Sequence, residues 1–132
     1  MPRNPVVSSR APTPLGAYSP GVWAGDLLFL SGQTPVDPET GRLVDGDVEA
    51  QTHQALTNLE GLLGDAGLTM DDVIKCNVFI TSMTHFAGMN TAYKTRFSKP
   101  YPARTTVAIA GLPLGATVEI ELVAKRPETP AK

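Results

Sequence analysis

Pro102-Ala103-Arg104-Thr105-Thr106-Val107-Ala108-Ile109-Ala110 is the stretch that decides how this chain folds. Gly111-Leu112-Pro113-Leu114-Gly115 and Ala116-Thr117-Val118-Glu119-Ile120-Glu121-Leu122-Val123 follow it. The pattern is strand, Gly/Pro turn, strand. Successive side chains alternate between the faces of a strand. Thr105, Val107 and Ile109 therefore share one face of the first strand, and Arg104, Thr106, Ala108 and Ala110 the other. On the second strand Val118, Ile120 and Leu122 oppose Glu119 and Glu121. A hairpin with both aliphatic rows turned inward gathers Arg104, Glu119 and Glu121 on its outer face. A guanidinium beside carboxylates is either a structural ion-pair network or a site for an anionic small molecule, and the hairpin alone leaves both open.

The rest of the chain supplies the frame. Its 132 residues fit one domain over 1–132, with an extended, proline-rich lead-in at 1–15 and a polar tail at 126–132. Gly21-Val22-Trp23-Ala24 and Leu27-Leu28-Phe29-Leu30-Ser31-Gly32-Gln33 read as strands around a Gly25-Asp26 turn. Val48, Thr52, Ala55, Leu56, Leu59, Leu62, Leu63 and Ala66 recur at helical spacing, which predicts a helix over 47–66. Asp45 or Asp47 can cap its start, and Gly67 can end it. Val73–Ile80 reads as a third strand. A second helix is predicted over 83–97, capped by Ser82 or Thr84, with a stripe of Phe86, Met89, Tyr93 and Phe97. Asn90 sits in that stripe and must find a polar partner there, or cost on the order of 1–3 kcal/mol. The order ββαβαββ is that of a two-layer α+β domain, with two helices covering one face of the sheet. The strands at 27–33 and 73–80 are apolar on both faces, so the uncovered face is expected to pack on another copy of the chain.

Composition excludes several functions. The net charge is −2, charged residues make up only 18%, and no basic run occurs, which argues against nucleic acid and anionic membranes. No apolar stretch approaches a membrane span. Met1-Pro2-Arg3-Asn4-Pro5 has no signal-peptide character, and a single cysteine, Cys76, fits a reducing compartment, so a cytoplasmic location is expected. Cys76 reads as an inert core thiol. His53 and His85 have no acidic or cysteine partners at metal-binding spacing, so no metal is expected. No phosphate loop, dinucleotide fingerprint or nucleophile elbow occurs, and no cofactor is expected.

Several segments together resemble the reactive intermediate deaminase family, known as Rid or YjgF. They are Gly16-Ala17-Tyr18-Ser19-Pro20, Leu30-Ser31-Gly32-Gln33-Thr34-Pro35, Asp37-Pro38-Glu39-Thr40-Gly41, Val78-Phe79-Ile80, Pro102-Ala103-Arg104-Thr105-Thr106-Val107, and Leu112-Pro113 through Val118-Glu119-Ile120-Glu121. The resemblance implies a chorismate-mutase-like fold and a homotrimer with clefts between subunits. It implies hydrolysis of 2-iminopropanoate and 2-iminobutanoate, formed from enamines released by pyridoxal-phosphate enzymes, to 2-oxo acids and ammonia. It places the carboxylate anchor at Arg104 and the water-associated carboxylate at Glu119. Tyr18, Ser31, Gly32, Asn90 and Thr106 become substrate contacts, the glycine and Thr106 through their backbone. Glu121 reads as structural. Many relatives carry cysteine at the position of Thr106 and charged residues at those of Ala108 and Gly111. The rival functions are a non-catalytic carboxylate-binding trimer and, with less support, a ribonuclease or chaperone.

Overall fold

Helix α1 (Val48–Asp65) forms where the sequence predicts it. Asp47 caps its start, its carboxylate accepting from the Ala50 amide at 3.1 Å. Gly67, with a φ of +82°, follows its end. Leu56, Leu59, Leu62 and Leu63 are fully buried on the sheet side. At about 1.5–3 kcal/mol for each buried leucine, this face alone secures the helix to the sheet.

The computed structural model describes residues 2–128. Met1 and residues 129–132, the end of the polar tail, lie outside the described residues. Six strands form one mixed sheet: β1 (Asn4–Val6), β2 (Gly21–Ala24), β3 (Leu27–Gln33), β4 (Val73–Ile80), β5 (Ala103–Ala108) and β6 (Val118–Lys125). Their spatial order is β1-β2-β3-β6-β4-β5, with β4 and β5 parallel and every other pair antiparallel. Both helices cover one face, giving the expected two-layer α+β architecture. No helix among the described residues is long and apolar enough to cross a membrane.

Four expectations are corrected. First, β5 and β6 do not form a hairpin: β6 lies between β3 and β4, and β5 takes the sheet edge beyond β4. Val118, Ile120, Leu122 and Ala124 of β6 are all essentially buried, so this strand gains most from neighbours on both sides. The Arg104-Thr105-Thr106 run of β5 suits an edge. Second, the lead-in contributes a strand, because Asn4–Val6 pairs with β2 at the other edge, where Pro5 is tolerated. Arg10 then ties the lead-in to α1, pairing with Asp65 at 3.0 Å and donating to the Gly61 carbonyl. Third, the second helix is shorter than predicted. A 3₁₀ turn at Met83–His85, capped by Ser82, precedes α2 (Phe86–Tyr93), and Phe97 packs into the core from beyond the helix end. Fourth, within the single chain β3 is not buried on both faces: Phe29 is 47% exposed, and with Val107 at 40% it lies on the uncovered side of the sheet.

The loop after β3 is held by Asn58 of α1, a side chain with no exposure. Its amide donates to the Val36 carbonyl at 2.8 Å and reaches the Thr34 carbonyl at 3.4 Å, while its oxygen accepts from Gln54. Replacing Asn58 by Ala strands the Val36 carbonyl in the interior. Asn58→Ala is expected to lower stability by about 1–3 kcal/mol, read from a urea denaturation midpoint at unchanged slope.

Candidate functional site

Register pairing fixes which side chains share a face. Arg104 lies opposite Cys76 of β4, a fully buried core residue, so Arg104 points toward the helices. Val107 lies opposite Phe79, and Phe79 opposite Glu119, so these three point to the uncovered face. Thr105, Asn77 and Glu121 form the next row on that face, where Asn77 donates to Glu121 at 3.1 Å. The expected cluster of Arg104, Glu119 and Glu121 is therefore not formed within one chain. The arginine is on one side of the sheet and both glutamates are on the other, two strands away, roughly 10 Å along the sheet. The same register reverses the expected facing of β5, because Thr105 and Val107 are outward and Arg104 and Thr106 inward.

The inward half-site is built by β5 and α2. The guanidinium carbon of Arg104 stands 4.7 Å from the centre of the Tyr93 ring and 5.6 Å from that of Phe86. Its Nη1 donates to Asn90 Oδ1 at 2.8 Å. This gives Asn90 the partner that its place in an apolar stripe demands. Among the described residues Arg104 has no carboxylate partner. It opens onto a cavity of about 390 Å³ lined by Asn90, Tyr93, Lys94, Tyr101, Pro102 and Arg104. A half-buried cation with unused donors and no acid nearby is an anion site in chemical terms. Beside it the Thr106 hydroxyl is sealed from solvent and has no hydrogen-bond partner. Any ligand contact from Thr106 must then come from its backbone, and β5, as an edge strand, has one side of its backbone unpaired.

The outward half-site is built by the segment before β2, the end of β3, and β6. Tyr18, Ser31, Gly32, Glu119 and Glu121 border a second cavity of about 480 Å³. The Ser31 hydroxyl donates to the Ser19 carbonyl at 2.7 Å, which ties the Tyr18 segment to β3. The Tyr18 hydroxyl accepts from the Leu15 amide at 3.3 Å. Gly32 makes room for Glu119, since a Cβ at position 32 would stand 2.5 Å from Glu119 Oε1. Burial raises the Glu119 pKa above its ordinary 4.5, and the neighbouring Glu121 charge raises it further. A carboxylate with heightened proton affinity in a cavity is suited to take a proton from water.

Phe86 and Tyr93 are the participants that sequence reasoning missed. They read as core stripe, yet they carry the arginine. The available signal was Asn90 between them at helical spacing, because a polar residue flanked by two aromatics on one helix face marks a place where something charged is received. His53 and His85 enter neither half-site. His53 sits on the exposed side of α1 beside Arg96, and no described group of histidine, cysteine and acidic side chains could hold a metal.

Comparison with known proteins agrees with this architecture. The family described as Endoribonuclease L-PSP matches residues 8–126. A RutC family protein of Pyrococcus horikoshii is 42% identical over 90% of this chain and 94% of its own length. A 2-iminobutanoate/2-iminopropanoate deaminase of Dermatophagoides farinae is 38% identical over 92% of this chain and 95% of its own. The crystal structure of Escherichia coli TdcF with bound serine superposes with a TM-score of 0.89 at 39% identity, covering 94% of this chain and 99% of TdcF. With its sheet order, its two helices on one face and its ordered motifs from Tyr18 to Glu121, the chain belongs to this family, the YjgF or Rid family.

Proposed function

We propose that the protein hydrolyses imines of small 2-oxo acids, such as 2-iminopropanoate and 2-iminobutanoate, to the oxo acid and ammonia. The observation that carries this reading is the Arg104 guanidinium, set on two aromatic rings beside a cavity with no carboxylate partner. A planar carboxylate fits its fork by two parallel charge-assisted bonds. The deaminase among the relatives and the serine-bound TdcF structure support a small substrate bearing a carboxylate.

The reaction needs little beyond placement. The carbon of a protonated imine is already electrophilic. Arg104 holds the carboxylate while Glu119 takes a proton from the attacking water as the C–O bond forms. That proton passes to nitrogen; Glu119, ionised again, takes the carbinol hydroxyl proton as the C–N bond breaks and the carbonyl forms, and the released ammonia carries that proton away as ammonium. One carboxylate serves as base and then as acid, so no cofactor enters the scheme. Tyr18, Ser31, Gly32, Asn90 and Thr106 complete the pocket in this reading.

Arg104 and Glu119 cannot both reach a three- or four-carbon acid from opposite faces of one sheet. The reading therefore includes a second copy of the chain, whose Glu119 half-site meets the Arg104 half-site of the first. A homotrimer with clefts between subunits, as the resemblance implies, satisfies this. The uncovered face, with Phe29 and Val107 exposed, is the surface such an assembly would bury. RNA cleavage fits less well, since both histidines lie outside the two half-sites and the net charge is −2.

The decisive assay couples the protein to a threonine dehydratase and follows 2-oxobutanoate release above the uncatalysed rate. Arg104→Ala is expected to lose about 2–4 kcal/mol of transition-state binding, roughly 30- to 1,000-fold in kcat/KM. An unchanged rate would falsify the mechanism, and saturable 2-oxobutanoate binding without any rate effect would leave a carboxylate-binding module. Gly32→Ala is expected to fold normally and to lose at least about tenfold in kcat, because the added methyl displaces only the mobile end of Glu119.

The pH dependence follows from Glu119. Burial and the Glu121 charge raise the Glu119 pKa in the single chain, and the acid limb of the rate profile is expected to report the ionisation of this carboxylate. Glu121→Gln removes a neighbouring negative charge, makes ionisation easier, and is expected to move that limb to lower pH. A limb that does not move on this substitution shows that Glu119 is not the titrating base.

A further inference from the structure

We infer that Tyr93 is a positioning residue for Arg104, and that its ring face rather than its hydroxyl does the positioning. The inference rests on the reading of Arg104 as carboxylate anchor and assigns the group that makes the anchor rigid. Arginine carries about 2 kcal/mol of side-chain rotamer entropy, which a binding site must remove either in advance or on binding. Here little else removes it. Of the five N–H donors of a guanidinium, one is used, from Nη1 to Asn90. A single hydrogen bond leaves the plane free to turn about that bond. β5 is the sheet edge, so no further strand packs beside the arginine stem. The plane is set by α2, through the ring of Tyr93 at 4.7 Å and, less closely, that of Phe86 at 5.6 Å.

Tyr93 is built to act as a fixed surface. It is 3% exposed, and its ring is braced by Phe97, with centroids 4.7 Å apart at 40°. A ring face carries partial negative charge, so it also offsets the desolvation of a cation without neutralising it. A carboxylate in the same place would hold the guanidinium as firmly but would occupy the fork that a substrate needs. The aromatic platform fixes orientation and leaves the remaining donors for the ligand. The hydroxyl takes no part in holding the guanidinium: it is buried against the Cys76 thiol and reaches no nitrogen or oxygen partner.

The test compares wild type, Tyr93→Phe, Tyr93→Leu and Phe86→Leu in two measurements. Calorimetric titration with 2-oxobutanoate reads carboxylate binding. The Arg104 Nε–H resonance, observed by ¹⁵N NMR without ligand, reads the plane directly, since a proton held over a ring is shifted upfield. Tyr93→Phe is expected to retain the shift and bind within about twofold of wild type. Tyr93→Leu should lose the shift and bind roughly 3- to 30-fold more weakly, with KM rising and kcat at saturation largely kept. Phe86→Leu, at a partly buried position, should give a smaller change of the same sign and carries the test if Tyr93→Leu does not fold. Wild-type binding that survives Tyr93→Leu with the resonance unmoved overturns the positioning role alone. Loss of binding in Tyr93→Phe overturns it too, by assigning the work to the hydroxyl. Wild type that binds no 2-oxobutanoate overturns the carboxylate reading, and this role with it.

Discussion

The placement of β6 between β3 and β4 is the constraint on which the rest depends. A strand with neighbours on both sides pairs its backbone along both edges, here interrupted by a register shift on each side, and its inward row of Val118, Ile120, Leu122 and Ala124 lies at the centre of the core. Once that position is taken, β5 has only the far edge of β4 to pair with, and it can do so in parallel because α2 carries the chain back across the helical layer. Parallel pairing with β4 then fixes the facing of β5. Arg104 falls level with Cys76 and must point inward, while Glu119 on β6 falls level with Phe79 and must point outward. The separation of the two charged groups is thus a consequence of strand order and not of any interaction between them.

An inward arginine at a sheet edge is a costly choice unless the local chemistry receives it. The structure receives it with faces and a carbonyl, not with an acid. Tyr93 and Phe86 offer their ring faces, and Asn90 offers an oxygen. All three come from α2 at helical spacing, so one short helix builds the whole cradle. This also accounts for a polar residue in a stripe that otherwise buries Met89 and Tyr93. Asn90→Ala would leave the arginine its aromatic seat, which sets its plane, but remove the one hydrogen bond that holds its Nη1.

Much of the fold was legible because it rests on local signals. Asp47 and Gly67 mark the ends of α1 by cap chemistry, and alternation marks the inward row of β6. Strand order was not legible, because a Gly/Pro turn between two strands is equally compatible with a hairpin and with a crossing over β4. Periodicity says which residues of β5 share a face but not which face is inward, and the rule that aliphatic residues point in failed there. Val107 is outward because an edge strand over a helix end can bury Arg104 against aromatics instead. The lead-in hid a strand for a related reason: Pro5 weakens every strand signal, yet costs nothing on an edge whose outer side needs no ladder. Among the proposed site residues, Arg104 and Glu119 stood out by charge on a sheet, whereas Tyr93 did not, since a buried tyrosine looks the same whether it fills the core or carries a cation.

In the proposed assembly, packing and proton affinity would be coupled through Glu119. In the single chain its pKa is already raised by burial and by Glu121. Covering the open face with another copy removes more water and, taken alone, would raise it further, toward a carboxyl too weakly ionised to act as a base at neutral pH. A guanidinium arriving from the second copy acts in the opposite sense and draws the value down. The proposed pairing of half-sites therefore supplies two things at once: an anchor for the substrate carboxylate and a counter-charge that keeps Glu119 ionised. In that proposed site, a substrate carboxylate engaging Arg104 would weaken the counter-charge. The proton affinity of Glu119 would then rise just when a water molecule must be deprotonated, which would tie the readiness of the proposed base to the presence of the anion it serves.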